Sequence, residues 1–323
     1  MCTAVSYLSK YHYFGRNLDV PFTYDESIVI TPRKFPFPFR CTGTLKSHYA
    51  MIGVATVVNG YPLYYDATNE YGLSMAGLNF SENAYYFPLS DDTINIAPFE
   101  LIPWVLTQCK SVQDAIQTLK NVQIADIQYS GSLPSTPLHW LVSDKSKSIV
   151  IEPLETGLQI HSNPIGILTN SPTFHFHLQN LRQYLNLTSK EPVNRFSSDL
   201  DLTSFSLGAG GFGLPGDLTS ASRFIRAAFV KYNSIHHKDD LSNIRQFFHI
   251  LQSVAQQEGC VQVGDLYEKT VYSSCCNTDC GVYYYTTYEN GQIIGIDMRK
   301  ENLDSVNLMQ FPLRRKLQVQ MEN

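Results

Sequence analysis

Hydrophobic and polar positions follow a two-residue period near both ends of the chain and a helical period in its middle. Thr3 to Tyr13 reads as a strand, a polar turn at Ser9-Lys10 and a second strand. Tyr49 to Val58 (YAMIGVATVV) predicts a strand closed by Asn59-Gly60, with Tyr61 to Ala67 as its hairpin partner. Leu73 to Phe80 predicts another. Val282 to Tyr288 and Ile293 to Met298 flank Asn290-Gly291, a pair that readily takes the positive φ angles of a type I′ turn.

The central periodicity predicts helices over Pro98–Gln108, with Pro103 as a kink or start, and over Ser111–Val122. In the latter, Ser111 and Asp114 have the spacing of a capping box. Further helices are predicted over His175–Leu185, Ala221–Tyr232 and Leu241–Gln257. Strands, then helices, then strands suit one α+β domain over residues 1–323, with sheets drawn from both chain ends and helices outside. No linker or internal repeat interrupts it. Asn186–Ser206 and the glycine-rich Gly208–Gly216 read as loops.

Composition narrows the function classes. The chain is 43% hydrophobic and 16% charged, which argues against disorder. A net charge of −5 gives no electrostatic reason to expect nucleic acid or an anionic membrane as partner. The basic run Arg314-Arg315-Lys316 reads as a solvated tail. No apolar stretch approaches the ~18 residues of a membrane span. The first 20 residues lack the features of a secretion signal, so the expected location is cytoplasmic. Seven irregularly spaced cysteines agree, as reduced thiols.

Candidate chemistry begins at Cys2. If Met1 is removed, this residue carries both a thiol nucleophile and a free α-amine to serve as its base. An α-amine near ~7.7 and a thiol near ~8.5 exchange a proton at little cost. By position alone, an ordinary residue after a start codon is the alternative. In Gly15-Arg16-Asn17-Leu18-Asp19, Arg16 could stabilise a thiolate and Asp19 could orient the amine; a solvated turn is the other reading. Residues three apart on a strand lie on opposite faces, so joint action would require a bend at Gly15 or Asn17. Asn79 and Asn170 sit in apolar surroundings, where an amide must find hydrogen-bond partners, either in a turn or by donating to an oxyanion. Arg223 is either a surface helix residue or a group that the flexible Gly208–Gly216 loop lets approach the site.

Other motifs carry less. Gly208 to Gly213 matches a dinucleotide fingerprint in form, but no buried strand precedes it and Pro215 interrupts the helix that should follow. Cys275, Cys276 and Cys280 lack a second pair or a nearby histidine, and read as structural. His175 and His177 would not share a helix face. No metal or organic cofactor is expected. A histidine-assisted cysteine, such as Cys109 with His139, stays open without a local signature.

Several segments together resemble one family: MCTA, YFGRNLD, YPLYYDATNEYGLSMAGLNF, FELIPWVLTQC, TPLHWLVSD, ILTNSPTF, GLPGDLTSASRFIRA and VYSSCCN. The chain is similar over its whole length to the choloylglycine hydrolases, which comprise bile salt hydrolases and penicillin V acylases. The resemblance is closer to the former. It implies an N-terminal nucleophile hydrolase fold, a four-layer αββα sandwich. It implies Cys2 as nucleophile after loss of Met1, with Arg16 and Asp19 as the polar pair beside it. It further implies oxyanion donors in the Asn79 backbone N–H and the Asn170 side chain, with Arg223 completing the network. Leu18, Tyr24, Leu133 and Leu138 match positions lining a steroid pocket. The implied substrates are glycine- and taurine-conjugated bile acids, and the implied assembly is a homotetramer. The alternatives are penicillin V acylase activity and non-catalytic binding of amphipathic acids.

Overall fold

The computed structural model describes residues 1–323. Its main strands, in chain order, are β1 (Cys2–Leu8), β2 (His12–Val20), β3 (Ser27–Thr31), β4 (Met51–Val58), β5 (Tyr61–Asn69), β6 (Ser74–Asn79), β7 (Leu138–Ser143), β8 (Ser148–Leu154), β9 (Gly157–Ser162), β10 (Ile167–Leu168), β11 (Lys269–Asn277), β12 (Val282–Thr287), β13 (Ile294–Asp297) and β14 (Met309–Pro312). They form a six-stranded sheet, β10-β1-β2-β11-β12-β13, and an eight-stranded sheet, β9-β8-β7-β6-β5-β4-β3-β14. The helices are α1 (Leu101–Leu106), α2 (Val112–Thr118), α3 (Phe174–Leu181), α4 (Ser220–Asn233) and α5 (Asp240–Gln252).

Alternation along the strands builds four layers. Ile28, Ile30, Ile52, Val54, Ala76 and Leu78 of the eight-stranded sheet pack with Ala4, Phe14 and Leu18 of the six-stranded one. Residues one step along, such as Val29, Met51, Met75 and Trp140, face outward onto α1 and α2. The far face of the six-stranded sheet is covered by α4 and α5, with Phe224, Phe247 and Leu251 in the same core. The αββα expectation therefore holds, and both strands nearest the amino terminus run through the centre of the molecule.

The local expectations hold with instructive exceptions. Asn59 and Gly60 take φ values of 51° and 77°, as a type I′ hairpin requires. Ser111 caps α2 by accepting from the Asp114 N–H, but the Asp114 carboxylate answers to Lys110 rather than to Ser111. The β12–β13 hairpin forms, yet neither Asn290 nor Gly291 has positive φ. Asn290 is buried instead, and its side chain donates to the Arg314 carbonyl (3.3 Å) and accepts from the Gln292 N–H. A tertiary contact has taken over the residue that the local turn would have used.

Candidate active site

Cys2 opens β1 in register with Leu18 of β2, and Ala4 lies opposite Arg16. Cys2, Arg16 and Leu18 thus share the face that looks across to the eight-stranded sheet. Arg16 proves the direction: its Nη1 donates to the Tyr65 (3.0 Å) and Gly77 (2.5 Å) carbonyls of β5 and β6. The opposite face carries Thr3, Asn17 and Asp19. Asn17 reaches the Leu251 carbonyl in α5 (2.9 Å), and Arg223 on α4 reaches Thr3 Oγ1 (2.6 Å).

The expected bend in β2 is absent. Arg16 and Asp19 stay on opposite faces of a continuous strand, and the irregularity lies in β11, between Thr270 and Tyr272. No bend is needed because the two charges approach Cys2 from different sides. Gly15 serves another purpose: a side chain there would collide with the Ser274 carbonyl, 1.9 Å from an added Cβ.

Both arginines are fully buried. Burial works against the Arg16 charge, but the Cys2 thiol, Tyr272, Asp66 and Asp19 outweigh it and raise its pKa. Burial lowers the pKa of Arg223, opposed by Asp19 and Cys2. Burial likewise raises the pKa of Asp19, opposed by Arg223, the amino terminus and a hydrogen bond from Thr270 Oγ1 (2.7 Å). Two buried polar atoms in the residues around Cys2 lack partners, Arg16 Nη2 and Asp19 Oδ2. Such atoms are costly to leave bare and are what a polar substrate group can satisfy.

Asn170 joins these parts. Its Oδ1 accepts from the Cys2 N–H (2.8 Å) and from Arg223 Nη2 (2.7 Å). Its Nδ2 donates to the Asn79 carbonyl (2.8 Å). Arg223 Nη1 also binds the Cys2 carbonyl at 2.5 Å. The Asn170 backbone is held in turn: its N–H donates to Ser220 Oγ (2.9 Å), and its carbonyl accepts from His177 Nε2 (2.9 Å). Burial lowers the His177 pKa to about 4.

Asn79 departs from the expectation of a buried amide. Its side chain turns toward Ser81, accepting from the Ser81 N–H (3.0 Å) and hydroxyl, while its backbone faces the site. The β5–β6 ladder ends at the Asp66–Ala76 pair. The Gly77 and Asn79 carbonyls beyond it bind Arg16 and Asn170 instead. In a strand, N–H and C=O of one residue point to the same side, so the Asn79 N–H points with them. Arg223 is placed by helix α4, whose start is fixed by Thr219 and by Asp217 accepting from Thr219 and Ser222. The flexible-loop explanation is unnecessary: Gly210 packs against the Thr188 and Lys190 carbonyls.

The pocket positions divide in two. Leu18 is buried opposite Cys2, and Leu138 stands opposite Asn79. Tyr24 (42% exposed) and Leu133 (36% exposed) lie on loops. Two polar clefts, bordered by residues such as Arg33, Glu70, Lys110 and Arg299, contain none of these residues. Cys109 and His139 do not pair. Cys109 approaches Thr118 Oγ1 (3.5 Å), while His139 bonds to the Thr169 carbonyl (2.9 Å) and Glu152.

Three acidic residues escape sequence reasoning. Asp66 accepts from Tyr272 (2.7 Å) and Tyr283, and burial raises its pKa, opposed first by the charge of Arg16. Glu152 supports His139 and the start of α3. Glu268 binds the amino terminus, 2.8 Å from Met1 N. The only available signal was a carboxylate in an apolar run, as at Asp66 in YYDAT.

The family model for linear amide C–N hydrolases of the choloylglycine hydrolase family matches residues 2–311. The chain is 51% identical to the "Bile salt hydrolase/transferase" of Lactiplantibacillus plantarum, over 98% of each chain. It is 40% identical to the protein of the same name from Clostridium perfringens, over 100% of each. The crystal structure of the C2A mutant of the conjugated bile acid hydrolase from Clostridium perfringens superposes with a TM-score of 0.92, at 38% identity and full coverage of both chains. A penicillin V acylase from Agrobacterium tumefaciens shares the fold at a TM-score of 0.76 and 19% identity, over 96% of this chain and 90% of its own.

Proposed function

Because the chain belongs to the choloylglycine hydrolase family of linear amide C–N hydrolases, we propose that it hydrolyses the amide joining a bile acid to glycine or taurine, with Cys2 as nucleophile. The observation that carries this reading is the buried cluster around Cys2, in which Asn170 ties the nucleophile's backbone to Arg223 and to the Asn79 strand end. With Met1 in place, the Cys2 nitrogen is a peptide N–H. Removal of Met1 turns it into the amine base the chemistry requires.

The thiolate, balanced by Arg16, attacks the amide carbonyl. The oxyanion is met by the Asn79 N–H and by Asn170 Nδ2, turned from the Asn79 carbonyl that now holds it. The Cys2 amine gives its proton to the departing amino acid and then activates water against the thioester. Asp19, beside the amine on the α4 face, keeps it oriented. Leu18, Tyr24, Leu133 and Leu138 receive the acyl group, a large rigid hydrophobe suited to an apolar wall. An amine can replace water at the thioester stage, in keeping with the hydrolase/transferase names of the relatives. No metal or organic cofactor enters these steps.

A cytoplasmic location belongs to the same reading, supported by seven unpaired cysteines. So does a homotetramer, supported by exposed Phe196, Phe205, Leu207 and Phe212, which sizing by light scattering would test. The deciding experiment compares taurocholate, glycocholate and penicillin V as substrates of protein shown by mass spectrometry to lack Met1. Bile salts are expected to be cleaved far faster. Preferential cleavage of penicillin V would reverse the acyl assignment, and binding of bile salts without turnover would make the chain a carrier. Full turnover by protein retaining Met1 would exclude the amine base.

A further inference from the structure

We propose that Glu268 and the Asp19 carbonyl form a seat for a primary ammonium beside the nucleophile, occupied in the mature enzyme by the amino group of an amine acceptor or product. The inference rests on the thioester reading above. It starts from an ammonium already in place: the Met1 nitrogen lies 2.8 Å from each Glu268 oxygen and 2.7 Å from the Asp19 carbonyl oxygen. Three acceptors converge on one –NH3+, which satisfies all its donors.

Beyond this ammonium, Glu268 acts in the fold only through the charge it presents to the buried Arg223 and Asp19. Its carboxylate makes no further hydrogen bond or ion pair, and the residue is only 9% exposed. Its position is set by the backbone, through its N–H to the Val261 carbonyl (2.8 Å) and the neighbouring Lys269 and Thr270 of β11. When Met1 departs, a nearly buried carboxylate loses its hydrogen-bonded cation and keeps only the longer-range attraction of Arg223, a deficit that another ammonium can fill. The vacated position is one residue along β1 from Cys2. The Asp19 side of the seat stays fixed after that loss, because Asp19 is paired with Thr270 of β11, a contact that does not involve Met1.

A primary ammonium is the chemical class that fits. The conjugating amino acid leaves as one, and an amine acceptor arrives as one. In the acceptor direction, the seated ammonium gives one proton to the Glu268 carboxylate. Its nitrogen lone pair then forms the C–N bond, and the C–S bond breaks with its electron pair on sulfur. The second proton passes from nitrogen to sulfur by way of the Cys2 amine. The products are the new amide, the Cys2 thiol and protonated Glu268, so that atoms and charge balance. Released glycine or taurine retraces the same contacts.

The test uses mature protein with a glycine-conjugated bile salt as acyl donor and two competing nucleophiles: methylamine, a cation near neutral pH, and hydroxylamine, which is uncharged there. The ratio of new acyl product to free bile acid is measured for wild type and Glu268→Gln. With methylamine, the ratio should saturate in wild type and fall about tenfold in Glu268→Gln, the scale of one lost charge-assisted hydrogen bond. The hydroxylamine ratio should stay unchanged. An unchanged methylamine ratio, or an equal fall for both nucleophiles, would overturn the seat. A strictly linear methylamine dependence in wild type would do so even if the variant failed to fold. Absence of bile salt hydrolysis in wild type would instead overturn the function, and the seat with it.

Discussion

The residues around Cys2 and those proposed for the rim of an acyl pocket are built in opposite ways. Cys2, Arg16, Asp19, Asn170 and Arg223 are buried, stand on β1, β2, α4 or the segment after β10, and are bound to one another, to backbone carbonyls or, for Asp19, to Thr270. Tyr24 and Leu133 stand on loops with a third or more of their surface exposed. Tyr24 has only a neighbouring Phe22 ring (4.8 Å) and backbone contacts to Glu26 and Thr56 to hold it. Attack on an amide needs atoms placed to a fraction of an ångström. Recognition of a large apolar acyl group needs area. The rim can therefore vary without disturbing the chemistry, and the cluster cannot.

Replacing Cys2 with serine should remove hydrolysis by about 10³-fold or more while leaving the fold intact, since the hydroxyl fits the same strand position. Circular dichroism with a product assay checks this, and a variant keeping most of its activity would break the assignment of chemistry to the buried half. Asn170→Ala should lower kcat by about 10²–10³-fold, the range for one oxyanion donor. It would also strip partners from Arg223 and Cys2, so a loss confined to KM would place Asn170 with the rim.

Acid should weaken the packed interior, through His177 beside Asn170 and through His12 at the far end of the β1–β2 pair. Burial lowers both His12 and His177 from the ordinary 6.5 to about 4. Below 6.5 the unfolded chain takes up these protons while the folded one does not. Their contribution is therefore complete above pH 6.5 and lost as pH falls toward 4, about 3 kcal/mol for each by linkage. Urea midpoints at pH 7, 6 and 5 should fall steadily, and a flat series would refute it. Leu133→Ala should have the smallest effect. An exposed leucine on a loop costs less than about 1 kcal/mol of stability. Its loss should raise KM for bile salts several-fold with a smaller change in kcat, and an equal fall in kcat would move Leu133 into the precise half of the site.

Much of this contrast was legible beforehand because it is local. Residue type and period marked strands over Thr3–Tyr13 and Leu73–Phe80, the latter carrying Asn79, and the helix over Ala221–Tyr232 that carries Arg223; the observed β1 and β2 run further, to take in Cys2 and Arg16. Asn59-Gly60 specified its own turn. Asn290-Gly291 did not, because burial against the Arg314 carbonyl outweighed its turn preference. The bend expected in β2 failed for a related reason. Alternation correctly put Arg16 and Asp19 on opposite faces, but one strand cannot reveal that the groups of Cys2 are approached from both.

The sequence by itself marked the order of elements, from periods of two and 3.6, and Cys2 as a candidate, from residue chemistry, while the roles of Arg16, Asp19, Asn79, Asn170 and Arg223 beside it were implied by the family resemblance. The tertiary structure alone decided which atoms those helpers present: the Asn79 backbone rather than its amide, the Asn170 oxygen toward Cys2, and the bulge in β11 rather than β2. It alone also brought Asp66 to Arg16 and Glu268 to the amino terminus, separations of 50 and 267 residues along the chain. Side-chain hydrogen bonds and buried charges are settled by whatever the packed sheets place within about 3 Å, and no local period encodes that distance.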